Sequence, residues 1–407
     1  MGLSVERAAL LMLIAALVAI ITRRMRLPYS VGLVAAGLGL AVLPLGPQIT
    51  LTRNLLFTVL LPPLIFEAAL SLNWNQLRKD LLLVLTLASL GVVLAAAITT
   101  VGMHFFAQWP WVPALLFGSL ISATDPVSVI AIFKSAKLQG RLLTLVESES
   151  LFNDGTAAVL FAICLSVAEG HSAAPLGVAR HLLITIVGSL VCGALVAGGA
   201  LLLAGRTDDH LIELTFTTIA AYGSFLLAEH LNLSGVLATL VAGLILGNVR
   251  RGGALTERGQ EAVQAFWEYA AFVANSFVFL LIGIHVGREH FLGSWYKVAI
   301  AIVVVLISRA VAVYPCCALF LGSRLGVKLS HQHVLFWGGL RGALALALAL
   351  ALPPELPERA AIVTLSLAVV AFSIFVQGLT IKPLLRSFGE IKSHRKVLEA
   401  AGTQSRY

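Results

Sequence analysis

The chain has 407 residues, of which 59% are hydrophobic and 12% charged, and its mean hydropathy is +0.95. About a quarter of the residues in a soluble domain are charged, so 20 acids and 28 bases are too few for several water-exposed domains. The composition excludes a soluble globular protein, a disordered chain and, because its apolar runs are long, an outer-membrane β-barrel. It indicates an all-α polytopic membrane protein.

Apolar runs of about 20 residues, the length that crosses a bilayer, predict 13 transmembrane helices. In chain order the predicted spans cover residues 3–21, 29–45, 54–72, 81–105, 111–133, 144–167, 176–204, 210–230, 234–248, 262–286, 295–321, 330–352 and 359–385. Residues 1–388 are therefore predicted to form one transmembrane domain, followed by a short cytoplasmic tail, 389–407. The four cysteines lie inside apolar runs and are expected to be core residues.

Basic residues predict the orientation of these spans. A cluster of three arginines at 23, 24 and 26 follows the first apolar run, which indicates an uncleaved span with its N-terminus outside. With that orientation, 20 of the 28 Lys and Arg residues fall on the inside and six on the outside, while Arg309 and Arg341 lie within spans. The C-terminus is predicted to be cytoplasmic, in a bacterial plasma (inner) membrane, and no nucleic-acid partner is expected.

Ionisable side chains inside a membrane are costly and usually functional. The sixth predicted span places four polar side chains within about a turn and a half. Ser150 and Asp154 are spaced i,i+4 on one face, and Glu149 and Asn153 share the adjoining face. A carboxylate beside a hydroxyl suits a hard, partly dehydrated cation. The alternative is a structural polar network that ties helices together.

The fifth span is predicted to be broken at Asp125-Pro126, because proline lacks an N–H and disfavours helix at the preceding residue. Pro126 is expected to open a second half-helix, with Thr124 or Asp125 as its cap. Unwound backbone survives at mid-membrane only where it is buried in protein or lines a cavity, and broken spans mark ion sites in secondary transporters. A simple proline kink is the alternative.

The twelfth span is predicted to be broken as well, at the glycines that flank Arg341 in residues 338–342. Arg341 keeps its charge and must pair with a buried carboxylate or with the C-terminus of a half-helix. The two broken spans are seven apart. That offset fits two inverted six-helix repeats, spans 1–6 and 8–13, in which the broken spans are equivalent.

Three further features leave alternatives open. Pro62 and Pro63 are expected to loosen the third span one turn before Glu67, which could face the same cavity or be a neutral, hydrogen-bonded acid. Arg309 is equally compatible with a structural counter-charge and a functional role. A histidine pair, 331 and 333, at the start of the twelfth span could bind a metal, although interfacial histidines are more often solvated.

These residues together resemble the sodium/proton antiporters of the cation:proton antiporter superfamily, in the branch with an Asn-Asp pair where the other main branch has Asp-Asp. The matching stretches occur in family order over nearly the whole chain: 61–70, 124–128, 149–154, 234–238, 275–276, 280–283 and 339–343. The resemblance implies 13 spans, a homodimer, and a core bundle (about spans 4–6 and 11–13) that moves against a dimerisation part (about spans 1–3 and 7–10).

The resemblance also implies roles by position. Asp154 would hold Na⁺ or a proton in turn, and Ser150 and Thr124 would complete the Na⁺ ligands. Asp125 and Glu67 would lie near the ion or act through water. No cofactor is implied.

Three more residues would support the site. Asn153 would stabilise the crossed unwound segments, and Glu149 would pair with Arg341 in a structural salt bridge. With Asn153 uncharged and Glu149 neutralised in this way, one Na⁺ is expected to exchange for one H⁺.

The predicted function is therefore secondary active exchange of Na⁺, and also Li⁺, for H⁺. Water exclusion disfavours the charged form of a carboxylate, so protons and Na⁺ are expected to compete at Asp154. A K⁺/H⁺ antiporter of the same architecture is the main alternative, and a cation channel is a second. An enzyme is not expected, because the sequence has no H-E-x-x-H motif and no phosphate-binding loop.

Overall fold

The computed structural model describes residues 5–25, 27–42, 52–125, 129–130, 132–133, 140–170, 175–249, 256–289, 295–356 and 358–390. Within these ranges all the regular secondary structure is helical. The helices of the first half are α1 (Val5–Met25), α2 (Tyr29–Val42), α3 (Leu61–Ser71), α4 (Trp74–Thr86), α5 (Val92–Ala107), α6 (Trp111–Ile121) and α7 (Arg141–Ala168). Those of the second half are α8 (Pro175–Ala204), α9 (His210–His230), α10 (Gly235–Val249), α11 (Glu257–Arg288), α12 (Trp295–Ala318), α13 (Leu329–Gly338), α14 (Ala343–Ala351), α15 (Arg359–Phe372) and α16 (Gly378–Ser387).

Three π-helical segments continue these helices without a break. One precedes α3 (Leu55–Leu60), one joins α4 to α5 (Leu87–Gly91) and one joins α15 to α16 (Ser373–Gln377). Eight helical stretches in the described ranges are long and apolar enough to cross a membrane, and the bent pair α13–α14 is a ninth candidate. Each predicted span coincides with a helix or an interrupted helix, whereas the total of 13 crossings and the inverted repeats remain predictions.

One predicted boundary was wrong by about two turns. The fourth span was expected to begin at residue 81, but α4 begins at Trp74, where the side chain of Asn73 accepts a hydrogen bond from the Asn75 N–H. The charges at 78–80 had suggested a loop. Asp80 is instead buried and binds Arg141 of α7 through three N–H···O contacts of 2.7–3.1 Å.

The third span was expected to loosen at the prolines, one turn before Glu67, but it loosens in the turn that precedes them. Pro62 and Pro63 open α3, which then runs without interruption past Glu67. Because neither proline can donate a backbone hydrogen bond, the preceding turn widens into the π-helical segment. The Val59 carbonyl, which an N–H at position 63 would otherwise bind, accepts a hydrogen bond from the Tyr222 hydroxyl of α9 at 3.2 Å.

Close backbone approach fixes the packing of α2 on α11. Gly37 and Gly283 lie face to face, and a Cβ on either residue would overlap the main chain of the other helix. Small residues at a crossing allow this approach, which favours helix association in lipid. The pairing matters for the site because α11 forms one wall of its cavity.

Away from these contacts the long helices expose large apolar side chains. Leu195 and Leu202 of α8 are 70% and 71% exposed, as expected of a helix face that contacts lipid. The four cysteines, 164, 192, 316 and 317, are buried and unpaired, which confirms that they are core residues.

Candidate ion-binding site

Two interrupted helices meet at the centre of the molecule. α6 ends at Ile121, and residues 123–125 follow it as non-helical chain. α13 ends at Gly338, and after residues 339–342 the chain resumes as α14, with a bend of 43°. Both interruptions were predicted, but the first begins at Ser122, before Asp125. The expected half-helix opening at Pro126, and its cap, lie outside the described residues.

The two unwound segments are joined to each other through the main chain. The N–H of Asp125 donates to the carbonyl of Leu340 at 2.7 Å. Gly342 lies against the Asp125 side chain so closely that a Cβ at this position would overlap the carboxylate. The glycine therefore permits the crossing and brings the second segment up to the acid.

Arg341 closes the end of the first half-helix. Its Nη1 donates to the carbonyl oxygens of Ser122 and Ala123 at 2.8 and 2.9 Å. The C-terminus of a helix has unsatisfied carbonyls and a partial negative charge, so a buried guanidinium is well matched to it. Two kinds of partner were predicted for Arg341, a buried carboxylate or the C-terminus of a half-helix. The structure contains the second.

The expected salt bridge between Glu149 and Arg341 was wrong. Arg309 of α12 is the partner of Glu149, with Nη1 to Oε1 at 2.9 Å and Nη2 to Oε2 at 3.0 Å. Arg309 also donates to the Leu335 carbonyl of α13 at 2.9 Å. Gly339 makes room for this guanidinium, since a Cβ there would overlap its Nε. Arg309 is thus the counter-charge of Glu149 and also holds α13 beside α7.

Asn153 connects α7 to the first unwound segment. Its Oδ1 accepts from the Thr124 N–H at 3.1 Å, and its Nδ2 donates to Thr124 Oγ1 at 2.6 Å and to Glu149 Oε1 at 2.9 Å. Ser150, one turn before Asp154, donates from Oγ to the Thr124 carbonyl. The polar face of α7 therefore satisfies the backbone that the interrupted helix leaves open.

Asp154 faces a cavity of about 560 Å³. The cavity is also lined by the other residues predicted to bind the ion, Glu67, Thr124, Asp125 and Ser150. Asp154 Oδ1 is buried and makes no hydrogen bond to any described residue. A buried carboxylate oxygen is costly unless it gains a hydrogen bond or a positively charged partner.

Two walls enclose this cavity. The unwound segments, α7 and the start of α14 form one wall, while α1, α3 and α11 form the other. Sequence reasoning did not assign Arg23, Glu147 or Glu268 to the cavity, although they also line it. Whether these residues line the cavity depends on which helices face one another, and a single sequence does not contain that information.

The donor set consists of carboxylate, hydroxyl and carbonyl oxygens, which suits a hard cation. Within the described ranges, no group of three His, Cys, Asp or Glu residues could hold a metal ion. The histidine pair considered as a metal site has other neighbours. His331 lies 3.0 Å from Glu390, and His333 lies 2.7 Å from the Tyr314 hydroxyl.

Crossed broken helices around a buried carboxylate, in an apolar all-helical chain, define the class of secondary ion transporters. The comparison with known families agrees: the family described as sodium/hydrogen exchanger, transmembrane, matches residues 10–387. This chain belongs to the sodium/hydrogen exchanger family.

Individual relatives cover nearly the whole chain. The low-affinity Na⁺/H⁺ antiporter NhaS1 of Synechocystis sp. is 36% identical over 94% of this chain and 73% of its own length. The Na⁺/H⁺ antiporter NhaH of Halobacillus dabanensis is 35% identical over 94% of this chain and 97% of its own. The sodium proton antiporter MjNhaP1 of Methanocaldococcus jannaschii, at 18% identity, shares the fold with a TM-score of 0.73 over 95% of this chain and 96% of its own.

These relatives are antiporters, so the prediction of an integral membrane transporter, and not an enzyme, is confirmed. Cation/proton exchange is the activity of this family.

Proposed function

We propose that this protein exchanges Na⁺ for H⁺ by competition at Asp154. The observation that carries the proposal is the buried, unbonded Oδ1 of Asp154 in a cavity that also contains hydroxyl oxygens of Ser150 and Thr124. The relatives named as Na⁺/H⁺ antiporters support the choice of cation. Li⁺, a smaller hard cation, would use the same ligands.

In this proposal Na⁺ is bound by Asp154, Ser150 and Thr124. Ser150 Oγ donates its proton to the Thr124 carbonyl and accepts a hydrogen bond from Thr124 Oγ1 at 3.3 Å, which leaves one lone pair of the hydroxyl to face a cation. Asp125 and Glu67 line the same cavity and act close to the ion or through water. A proton on Asp154 removes the negative charge that Na⁺ requires, so the two ions exclude each other.

Three residues hold this geometry without touching the ion. Asn153 fixes the unwound segment through Thr124, Arg341 neutralises the end of α6, and Glu149 is itself neutralised by Arg309. Because each of these charges is balanced, only the charge of Asp154 changes during the cycle. One Na⁺ then exchanges for one H⁺ without net charge movement.

Alternating access completes the proposed mechanism. The cavity is bounded by the wall that carries the ion ligands and by the wall of α1, α3 and α11, and movement of the first against the second would expose the site to the other side. This division corresponds to a core bundle and a dimerisation part within residues 1–388 of a homodimer. The protein would lie in a bacterial inner membrane with its N-terminus outside and its C-terminal tail, 389–407, in the cytoplasm.

The test of the proposed site is Asp154→Asn in proteoliposomes with a pH-sensitive dye inside. Na⁺-driven proton flux should be abolished, because the amide neither titrates nor attracts Na⁺. Asp208→Asn is the matched control, since this aspartate is exposed in the loop before α9. Full flux in Asp154→Asn, with the variant shown to be folded by gel filtration, would disprove the proposal.

The stoichiometry has a separate test. If exchange is electroneutral, its initial rate should be the same with and without an imposed membrane potential. A rate that depends on voltage would contradict one-for-one exchange while leaving the site at Asp154 intact. Titration with Na⁺, Li⁺ and K⁺ in the same assay distinguishes the K⁺/H⁺ alternative, and flux that dissipates either gradient alone would indicate a channel.

A further inference from the structure

Arg141, the first residue of α7, joins two distant parts of the chain at the predicted cytoplasmic face. Its Nε and Nη2 donate to the Asp80 carboxylate of α4. Its Nη1 and Nη2 donate, both at 2.8 Å, to the carbonyl oxygens of Gly326 and Leu325 in the connection between α12 and α13. The start of α4 and this connection are therefore held together by one guanidinium.

Four exposed cations flank this junction and form the basic patch: Arg78, Lys79, Arg324 and Lys328. The first two precede Asp80, and the other two lie on either side of Leu325 and Gly326. No ion pair among the described residues includes any of the four. Asp80, which lies beside them, is already bound to Arg141, so the four positive charges of the patch are available to an anion.

Exposed leucines indicate the depth of the basic patch in the bilayer. Leu82 is 62% exposed and lies on the same face of α4 as Arg78, four residues earlier. Lys328 precedes Leu329, which is also 62% exposed. The continuous stretch Trp74–Ala107 has 34 residues, more than the roughly 20 that cross the hydrocarbon core. Its first turns therefore extend to the level of the lipid headgroups.

The direction of the side chains agrees with this depth. Helical side chains point toward the N-terminus of their helix, so Arg78 extends from the lipid-facing stripe of α4 toward the aqueous side. A long basic side chain in this position keeps its stem on apolar surface and its charge among the headgroups. Both elements that Arg141 joins thus place cations directly beside exposed apolar surface.

We propose that the basic patch binds the headgroup of an anionic phospholipid, with the phosphate between α4 and the α12–α13 connection and the acyl chains against Leu82 and Leu329. Basic pockets between membrane spans on the cytoplasmic side suit such headgroups. A soluble phosphate would meet the same charges but would leave the leucines uncovered, which favours the lipid. The inference goes beyond the proposed function and does not depend on the ion site at Asp154.

The expected size follows from the attraction between a basic side chain and anionic lipid, which is worth about fivefold in affinity for each Lys or Arg. Arg78→Gln/Lys79→Gln should therefore weaken binding about 25-fold, and Arg324→Gln/Lys328→Gln should do the same. Removal of all four charges should weaken it at least about a hundredfold. High salt should weaken binding to the wild-type protein, because it screens exposed charges.

The experiment titrates the full chain in a neutral detergent with dioleoyl phosphatidylglycerol or dioleoyl phosphatidylcholine and follows the unfolding temperature, which rises when a ligand binds the native state. Only the anionic lipid should raise it. The control variant removes four exposed cations elsewhere on the same predicted face, and it should respond to phosphatidylglycerol as the wild type does. Its substitutions to Gln are at Arg24, Arg206, Arg258 and Arg386.

All substituted side chains are exposed, so the variants should unfold at the wild-type temperature when only phosphatidylcholine is present. A control variant that loses as much affinity as the patch variants would overturn the inference, because it would indicate a general attraction to the basic face. Full affinity in either pair variant would do the same, since the site requires both elements.

Two further measurements keep the inference falsifiable even if a patch variant does not fold. An equal response of the wild type to soluble glycerol 3-phosphate, or a response to phosphatidylglycerol that persists at high salt, would contradict an anionic lipid site. The outcome is separate from the test of the ion site: Asp154→Asn should bind phosphatidylglycerol with wild-type affinity whether or not it transports.

Discussion

Arg309 binds both carboxylate oxygens of Glu149, and the two side chains are 7% and 3% exposed. The pair joins α12 to α7 one turn before Asn153. Removal of one partner from a buried ion pair leaves an uncompensated charge, which is far more harmful than replacing both partners. We therefore expect loss of this pair to affect folding before it affects ion binding.

Arg309→Gln should destabilise the protein by roughly 3–5 kcal/mol, which would be seen as a lower unfolding temperature and a lower yield of monodisperse protein in detergent. Glu149→Gln should likewise reduce the folded yield more than it changes the KM for Na⁺. The double variant should recover much of the loss. Arg258→Gln, an exposed arginine near the start of α11, is the control. Wild-type stability in Arg309→Gln would show that the pair is dispensable.

Gly342→Ala should impair transport, because the added methyl group overlaps the Asp125 carboxylate. The second unwound segment would have to move away from the first, which would separate Asp125 and Leu340. Exchange is expected to fall at least about tenfold, the effect of about 1.4 kcal/mol in the transport step. Initial rates in proteoliposomes measure it.

The control for this substitution is Gly199→Ala in α8, where a Cβ meets no atom within 4 Å. That variant should transport at the wild-type rate. If Gly342→Ala is equally active, the close approach of the two segments is not required for exchange.

Tyr222→Phe should destabilise the fold by about 1 kcal/mol, the net worth of one hydrogen bond. The lost bond is the one to the Val59 carbonyl, whose partner within the helix is absent at Pro63. Thermal unfolding in detergent detects the change. Tyr269→Phe provides the comparison, since Tyr269 is 56% exposed and its hydroxyl is expected to contribute little. Equal unfolding temperatures for Tyr222→Phe and Tyr269→Phe would show that the Tyr222 hydroxyl does not compensate for the N–H that is missing at Pro63.

Competition at one carboxylate predicts how exchange depends on pH. As the pH falls, a larger fraction of Asp154 is protonated, so the apparent KM for Na⁺ should rise while the rate at saturating Na⁺ is maintained over the range in which competition dominates. Rates measured against Na⁺ at a series of pH values test this. A maximal rate that falls with pH at constant KM would indicate separate proton and cation sites.

The parts of the site that could be predicted from sequence are those in which a residue type conflicts with its surroundings. Asp125-Pro126 and the glycines around Arg341 conflict with a continuous apolar helix, and both spans are indeed interrupted. The i,i+4 spacing of Ser150 and Asp154 fixed their common face, because helical geometry alone decides it.

Pairing between distant helices could not be predicted in this way. Glu149 had two buried arginines available, and only the orientation of α12 against α7 selects Arg309 over Arg341. The cavity lining is a similar case: Glu147 and Glu268 lie toward the starts of their helices, and only the relative position of α7 and α11 determines that both line one cavity.

The hydrogen bond from the Asp125 N–H to the Leu340 carbonyl has a consequence for mutational studies. Because both atoms belong to the peptide backbone, any substitution other than proline at position 125 leaves the bond possible. An alanine scan would therefore not detect the contact that joins the two broken helices. Replacement of the peptide bond that precedes Asp125 by an ester would remove the donor without altering any side chain. Semisynthesis, rather than site-directed mutagenesis, is the means of measuring what that joint contributes.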